Sequence, residues 1–411
     1  MRIAFFSPPL QGHLGPAAGL AAALNDRGHQ CFLVHHPLLD VDPVFKSLPL
    51  DPSQCEWTPA SFTQRTRSSG LPFGVLSLVR EMAEMTNSLC RQAPDLLRQH
   101  GIEAVVSDQL EPAGALVADH LGLPYASLAA AHPINREPLV PLPFLHWPYE
   151  DSPKAIERNR VGTWVADKLT ARHDRTVARW SAAWSLQPRQ KVVDCLSTRA
   201  DISQLVPGLD FPRQQLPPSF HYVGPLRRAK HDWPVTENKD TRPTIFASLG
   251  TLQNHRLSMF RRIAKACRQL GVKLIVSHAN GLSARQAATI DADVVLPWVN
   301  YQEVMSQADA VITHGGINTV LDALAAGLPI LCMPLAFEQP GIGARLVHSG
   351  AGKVLSHRSE SGRIAAALGD LLNRPDYKAR AGLLQDEIRS SGGAPAAAQL
   401  LERALGRAIS G

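Results

Sequence analysis

Three stretches of the chain carry side chains that can do chemistry. The first is SPPLQGHLGP, residues 7–16, with His13 between Gly12 and Gly15. Histidine titrates near neutral pH, so His13 is a candidate general base. A solvated loop histidine is the plain alternative. The second is Asp108, directly after the apolar run Ala104–Ser107. A carboxylate there can hold an imidazole in one tautomer and stabilise its cation, or it can simply cap a turn or helix. No G-x-S-x-G or cysteine nucleophile accompanies the pair. If His13 is a base, the nucleophile has to be the substrate's own hydroxyl.

The third stretch is VITHGGINTVLD, residues 311–322. An apolar run ends at Thr313, His314 and two glycines follow, and a helix is expected from near Asn318. Glycines let backbone amides approach an anion, and a helix N-terminus attracts it. His314 adds a hydrogen bond or a charge. The alternative is a tight turn that the glycines merely permit. The stretch is neither G-x-G-x-x-G nor followed by a Walker lysine, which disfavours a generic dinucleotide fold.

The surrounding pattern says what positions these residues. Ile3–Ser7 reads as a buried strand, Pro16–Asn25 as a helix and Cys31–Val34 as a second strand, which makes a β-loop-α-β unit. Ala104–Ser107 and Tyr125–Leu128 are further strands around a helix at Ala113–Leu121. A proline-punctuated stretch, residues 207–243, suits a linker. Then the pattern restarts. Thr244–Leu249, Lys273–Ser277, Val294–Leu296, Ala310–Thr313 and Ile330–Met333 read as strands, with a helix at Met259–Leu270. The expected fold is α/β, with two doubly wound domains at 1–206 and 244–385. A C-terminal helix in 386–411 would pack back on the first domain. In such sheets ligands bind beyond the carboxyl ends of the strands, and all three stretches sit there.

Composition narrows the class. The chain has 411 residues, 42 basic and 36 acidic, so its net charge of +6 is small and spread out. A nucleic-acid binder would cluster that excess in one stripe, so no nucleic acid is expected. Six dispersed cysteines without C-x-x-C suggest reduced thiols, and the N-terminus MRIAFFSPPLQGH breaks too early for a signal peptide. A cytoplasmic protein is expected. Asp291-Ala292-Asp293 looks like a metal-binding D-x-D but lacks supporting ligands. It reads as a surface loop, and no metal is expected.

The segment LPWVNYQEVMSQADAVITHGGINTVLDALAAGLPILCMPLAFEQP resembles the nucleotide-diphosphate-sugar signature of the family 1 glycosyltransferases. The resemblance implies two Rossmann-like domains facing across a cleft (the GT-B arrangement) and a UDP-sugar donor. It implies donor-binding roles for Trp298, stacked on uracil, and for His314, Gly316, Asn318, Thr319, Asp322, Glu338 and Gln339. FASLGT brings Ser248, Gly250 and Thr251 to the diphosphate, QGHLGP makes His13 the base, and Asp108 matches its partner. Tyr301 departs from the usual glutamine, Asp322 from the glutamate of plant members, and Glu338 from the usual aspartate.

Further blocks, DQLEPAGALVADHLGLP, HPINREPLVPLPF, LVPGLDFPR and FASLGTLQNHR, are similar to the bacterial zeaxanthin glucosyltransferase group. They imply UDP-glucose as donor, a lipophilic carotenoid acceptor and inversion at the sugar. Asn135, in the HPINREP block, becomes a candidate acceptor contact. A transferase acting on a macrolide, sterol or polyketide alcohol is the other reading. An acceptor of this kind resides in membrane. Residues 154–184 carry seven Lys/Arg against three Asp/Glu, with Trp164, Trp180 and Trp184. They read either as core or cleft tryptophans or as a peripheral contact at the inner face of the membrane.

Overall fold

The computed structural model describes residues 1–68, 72–228 and 241–406. The first half runs β1 Arg2–Phe6, α1 Gln11–Asp26, β2 Gln30–His35, β3 Lys46–Pro49, α2 Pro59–Ser68, α3 Pro72–Gln99, β4 Ala104–Asp108, α4 Ala113–Leu121, β5 Tyr125–Ala129, α5 Pro153–Ala183, β6 Asp201–Ser203 and β7 Phe220–Tyr222. Its seven parallel strands lie in the order β3-β2-β1-β4-β5-β6-β7. The second half runs β8 Thr244–Ser248, α6 Leu257–Leu270, β9 Lys273–Ser277, α7 Ala284–Ala287, β10 Val294–Leu296, α8 Tyr301–Ser306, β11 Ala310–Thr313, α9 Ile317–Ala325, β12 Ile330–Cys332, α10 Gln339–Ser349, β13 Gly352–Val354, α11 Ser361–Asn373, α12 Pro375–Ser390 and α13 Gly393–Leu405. Its six parallel strands follow the order β10-β9-β8-β11-β12-β13.

The strands read as unbroken apolar runs because helices cover both faces of each sheet. Alternation along β1 shows the division. Ile3 and Phe5 join a core with Leu20 and Leu24 of α1, while Ala4 and Phe6 face Met85 and Leu116 on the other side. Burying one such leucine or phenylalanine stabilises by roughly 1.5–3 kcal/mol.

Three expectations are corrected. First, α1 starts at Gln11, ahead of the expected Pro16. Pro16 has no N–H to give the carbonyl four residues earlier, that of Gly12. That carbonyl accepts instead from Asn318 Nδ2 of the second half, at 3.0 Å. Second, the stretch expected as a linker is partly sheet. Phe220–Tyr222 pairs with Asp201–Ser203 as the edge strand of the first sheet, and residues 229–240 lie outside the described residues. Third, α12 runs past residue 385 to Ser390 before the chain turns at Gly392 and Gly393, both at positive φ. The following helix, α13, buries Ala394, Ala397, Ala398 and Leu401 against α1, and Glu402 accepts from Arg27 Nε at 2.9 Å. Residues 407–411 of the expected C-terminal segment lie outside the described residues.

A buried ion pair also ties the halves together. Arg345 of α10 donates from Nε to Asp210 Oδ1 at 2.7 Å, and Asp210 Oδ2 accepts from Arg213 Nε and the Tyr222 hydroxyl. The two guanidinium groups hold the buried Asp210 carboxyl far below the usual carboxylate range despite its burial.

Candidate active site

The two sheets bring their carboxyl ends to one cavity of about 360 Å³, lined from both halves. Each sheet reverses its strand order between its central pair, β1/β4 and β8/β11, which is where a doubly wound sheet opens a crevice. All three chemistry-bearing stretches reach that crevice or back it.

His13 sits in the first turn of α1, buried, with Nδ1 2.8 Å from Asp108 Oδ2. β1 and β4 are neighbours in register, Phe6 beside Ser107, so Asp108 emerges next to the start of the helix that carries His13. The other Asp108 oxygen accepts from the Leu110 backbone at 2.9 Å, which fixes the carboxylate. With Nδ1 on the carboxylate, Nε2 is left for the cavity that His13 lines. Burial by itself would lower the His13 pKa. The charge and hydrogen bond of Asp108, with a smaller contribution from Glu338, outweigh it and raise the pKa above the ordinary 6.5. The pair is therefore built to accept a proton.

His314 faces the same cavity in a different electrostatic setting. It follows β11, and Thr313 Oγ1 lies 3.3 Å from its Nδ1. No carboxylate opposes the burial, so the pKa falls to about 4 and the ring is neutral at pH 7. Of the two expected contributions, hydrogen bond or charge, only the hydrogen bond survives. The glycines around it have a steric reason. A Cβ at Gly250 or at Gly316 would each lie 2.6 Å from His314 Cε1. Gly250 and Gly315 also take positive φ, +68° and +88°. The Ile317–Ala325 helix then begins with Gly316 as its N-cap, so the first-turn N–H groups have no acceptor inside the helix and face the cavity.

The remaining donor-site candidates divide into cavity wall and support. Thr251, Trp298, Thr319, Asp322, Glu338 and Gln339 line the cavity. Trp298 is 56% exposed, so it is not the core tryptophan that was its alternative, and its ring is available for stacking. Gln339 Oε1 accepts from Leu335 and Ala336 backbone N–H at 2.9 Å each, which leaves its amide N–H groups unspent by those bonds. The turn before it places Phe337 at φ +55°, a strained value for a side chain of that size. Ser248 lies behind the wall, its hydroxyl 2.8 Å from that of Tyr301. Tyr301, in place of the more usual glutamine, thus closes the cavity floor and braces the β8 end.

Asn135 stands apart from the cavity wall. Its Nδ2 donates to Asp201 Oδ2 at 3.0 Å and its Oδ1 accepts from Gln109, bonds that order the loop after β5. The Asp291-Ala292-Asp293 loop is likewise engaged, with Asp291 on Arg268 and Asp293 on Arg242.

Two residues of the site were not expected from sequence. Arg227 donates from Nε to Asp322 Oδ1 at 2.8 Å and from Nη2 to the Asn318 carbonyl at 3.1 Å. Its backbone is set by Gly19, where a Cβ would lie 2.5 Å from the Leu226 carbonyl oxygen. Gln204 donates to Asn318 Oδ1 at 3.0 Å. With its Nδ2 on Gly12, the Asn318 side chain joins the halves, and its backbone N–H and second amide N–H are left for an anion. Leu10, Phe62, Leu78, Met82 and Leu110 give the first-half side of the wall, the side of His13, a largely apolar lining.

Two facing doubly wound domains with a basic histidine on one wall and an anion cradle on the other define a GT-B glycosyltransferase. Residues 53–386 match the UDP-glucoronosyl and UDP-glucosyl transferase family, and the chain belongs to it. It is 38% identical over 406 residues to the zeaxanthin glucosyltransferase of Pseudescherichia vulneris, covering 98% of this chain and 97% of that one. It is 39% identical over 417 residues to the zeaxanthin glucosyltransferase of Pantoea ananas, covering 98% and 95%. Among solved structures, the glycosyltransferase SnogD from Streptomyces nogalater superposes with a TM-score of 0.72 at 19% identity, over 98% of this chain and 99% of that one, which shows the shared fold.

Proposed function

We propose that this UDP-glycosyltransferase moves glucose from UDP-glucose to the 3-hydroxyl of zeaxanthin, first at one end of the carotenoid and then at the other. The observation that carries the reading is the placement of the His13–Asp108 pair opposite the His314 cradle, with an apolar wall beside the histidine. The full-length likeness to two zeaxanthin glucosyltransferases supports the acceptor.

In this reading the diphosphate rests on the backbone N–H groups of residues 317–319 and on neutral His314, with Gly250 and Thr251 closing over it. Trp298 stacks on uracil, Asp322 faces the ribose, and Glu338 and Gln339 hold the sugar hydroxyls. The acceptor hydroxyl lies against His13 Nε2. As its oxygen attacks the anomeric carbon, the proton passes to Nε2 and the bond from carbon to the β-phosphate oxygen breaks. UDP leaves with the electron pair. Attack comes from the face opposite UDP, so an α-linked donor yields a β-glucoside. Proton removal has to accompany attack, because an alcohol is far too weak an acid to ionise first at pH 7. Asp108 stabilises the imidazolium that forms, and the amides and His314 stabilise the departing diphosphate.

The test is product analysis by mass. Protein, UDP-glucose and detergent-dispersed zeaxanthin should give the monoglucoside and then the diglucoside. UDP release without either product, or transfer only to a macrolide or sterol alcohol offered in its place, would overturn the acceptor.

A further inference from the structure

The 31-residue helix α5, Pro153–Ala183, has two kinds of tryptophan. Trp180 and Trp184, the latter capping the helix end, are half-buried against the first-half core. Their ring centroids are 4.7 Å apart, Trp184 stacks on His120 at 4.3 Å, and Trp180 Nε1 donates to Asn87 at 3.1 Å. Trp164 is 63% exposed, and Val161 and Val165 beside it are exposed as well. At 100° per residue these three fall on one face, opposite Asn159, Ala166, His173 and Val177, which are buried.

That face continues into charge. Lys168 Nζ lies 5.7 Å from the Trp164 ring centroid. About one to three turns further on, Arg172, Arg175 and Arg179 line a surface notch of about 280 Å³ with Glu84 and Asn87. Arg172 donates to Glu84 at 2.8 Å and Arg179 to Asn87 at 2.7 Å. Each guanidinium has five N–H donors, so these single bonds leave most of them pointing outward.

The neighbouring helix adds to the face. Glu84 of α3 meets Arg172 and Asn87 meets Arg179, so α3 and α5 run side by side in the same direction. Leu76, exposed, lies on the side of α3 that carries Glu84 and Asn87 at 100° per residue. Leu78 and Met82, on the other side of the same helix, line the cavity.

We infer that the exposed face of α5, with Leu76 of α3, is a docking surface for an anionic phospholipid bilayer. Trp164, Val161 and Val165 enter the headgroup boundary, and the arginine notch takes lipid phosphates. A short tryptophan-centred apolar patch bordered by cations is the composition that binds such an interface. No helix of the described residues is long and apolar enough to cross a membrane, so the contact is peripheral. The purpose of the surface rests on the lipophilic acceptor proposed above, whereas its existence does not.

The test uses the full chain and vesicles free of carotenoid and donor. Cosedimentation should show binding to phosphatidylcholine vesicles containing phosphatidylglycerol and little to phosphatidylcholine alone, and the binding should fall with added salt. Each of Trp164→Ser/Val165→Ser and Arg175→Glu/Arg179→Glu should weaken it roughly tenfold or more, while UDP affinity stays at the parent value. Transfer to detergent-dispersed zeaxanthin should be unaffected, and transfer to zeaxanthin held in anionic vesicles should fall with binding. Absence of vesicle binding at low salt, or equal binding by both variants, would overturn the surface. So would a self-associated species in sedimentation velocity that Trp164→Glu dissociates, because the patch would then belong to a second copy of the chain. Failure of the proposed acceptor would show instead as no glucoside in detergent, with vesicle binding intact.

Discussion

His13 and His314 occupy comparable places in two similar half-molecules, beside the central strand pair of each sheet, and both are buried. Their proton affinities differ in opposite directions. Burial disfavours the imidazolium at each, and only at His13 does a carboxylate answer it, with Nδ1 2.8 Å from Asp108. His314 has a threonine hydroxyl there and falls to about 4. One neighbour thus decides whether a buried histidine takes a proton or only donates one from a neutral ring. Glycosyl transfer needs both, a base for the acceptor and a fixed donor for the leaving diphosphate.

The largest effect should come from removing the proposed base. His13→Ala should lower kcat by about 10²–10⁴, the usual loss of general-base assistance, while calorimetry shows UDP-glucose binding retained. Near-normal turnover would end the assignment. Asp108→Asn should lower kcat less and should also move the pH profile. The base must be deprotonated, so kcat/KM rises with pH through the His13 pKa, which lies above 6.5 in the parent enzyme. Without the aspartate the lowering by burial dominates, and the limb should shift below 6.5. An unshifted limb would assign it to another group.

On the donor side the effect should be one of affinity. His314→Ala removes a hydrogen bond to a charged ligand, a loss of about 1.5–3 kcal/mol, or roughly ten- to a hundredfold in UDP binding. UDP affinity of the parent should show no His314-linked change between pH 6 and 8, because the ring is neutral throughout. The smallest effect belongs to the bridge between the halves. Asn318→Ala deletes its bonds to Gly12 and Gln204 and should cost about 1 kcal/mol of stability in a denaturant titration, with UDP binding changed little. A donor-site loss as large as that of His314→Ala would return the Asn318 side chain to the phosphate.

The fold was legible because parallel strands buried on both faces leave continuous apolar runs, and β4, α4, β5 and β9 end within one residue of their expected bounds. The start of α1 was not. Proline at position 16 reads as a helix start from local rules, and its tolerance depends on Asn318, about three hundred residues later, taking up the Gly12 carbonyl. The edge strand Phe220–Tyr222 was hidden among prolines for the same reason, since an edge needs little periodicity of its own. Among site residues, His13, Asp108 and His314 could be read because glycines and strand ends frame them. Asn135 could not be placed from its distinctive block, because its amide bonds to Asp201 of a strand some sixty-six residues later. Arg227 and Gln204 carried no local signal, because their partners come from the other half of the chain.

The comparison of the two histidines is tested most directly by following both imidazoles through a pH titration with nitrogen-15 NMR, assigned with His13→Ala and His314→Ala. His13 should titrate above 6.5, and His314 should stay neutral until the pH approaches 4. A His13 that remains neutral down to pH 5, or a His314 that charges near 6.5, would contradict the assignment of base to one half and neutral anchor to the other.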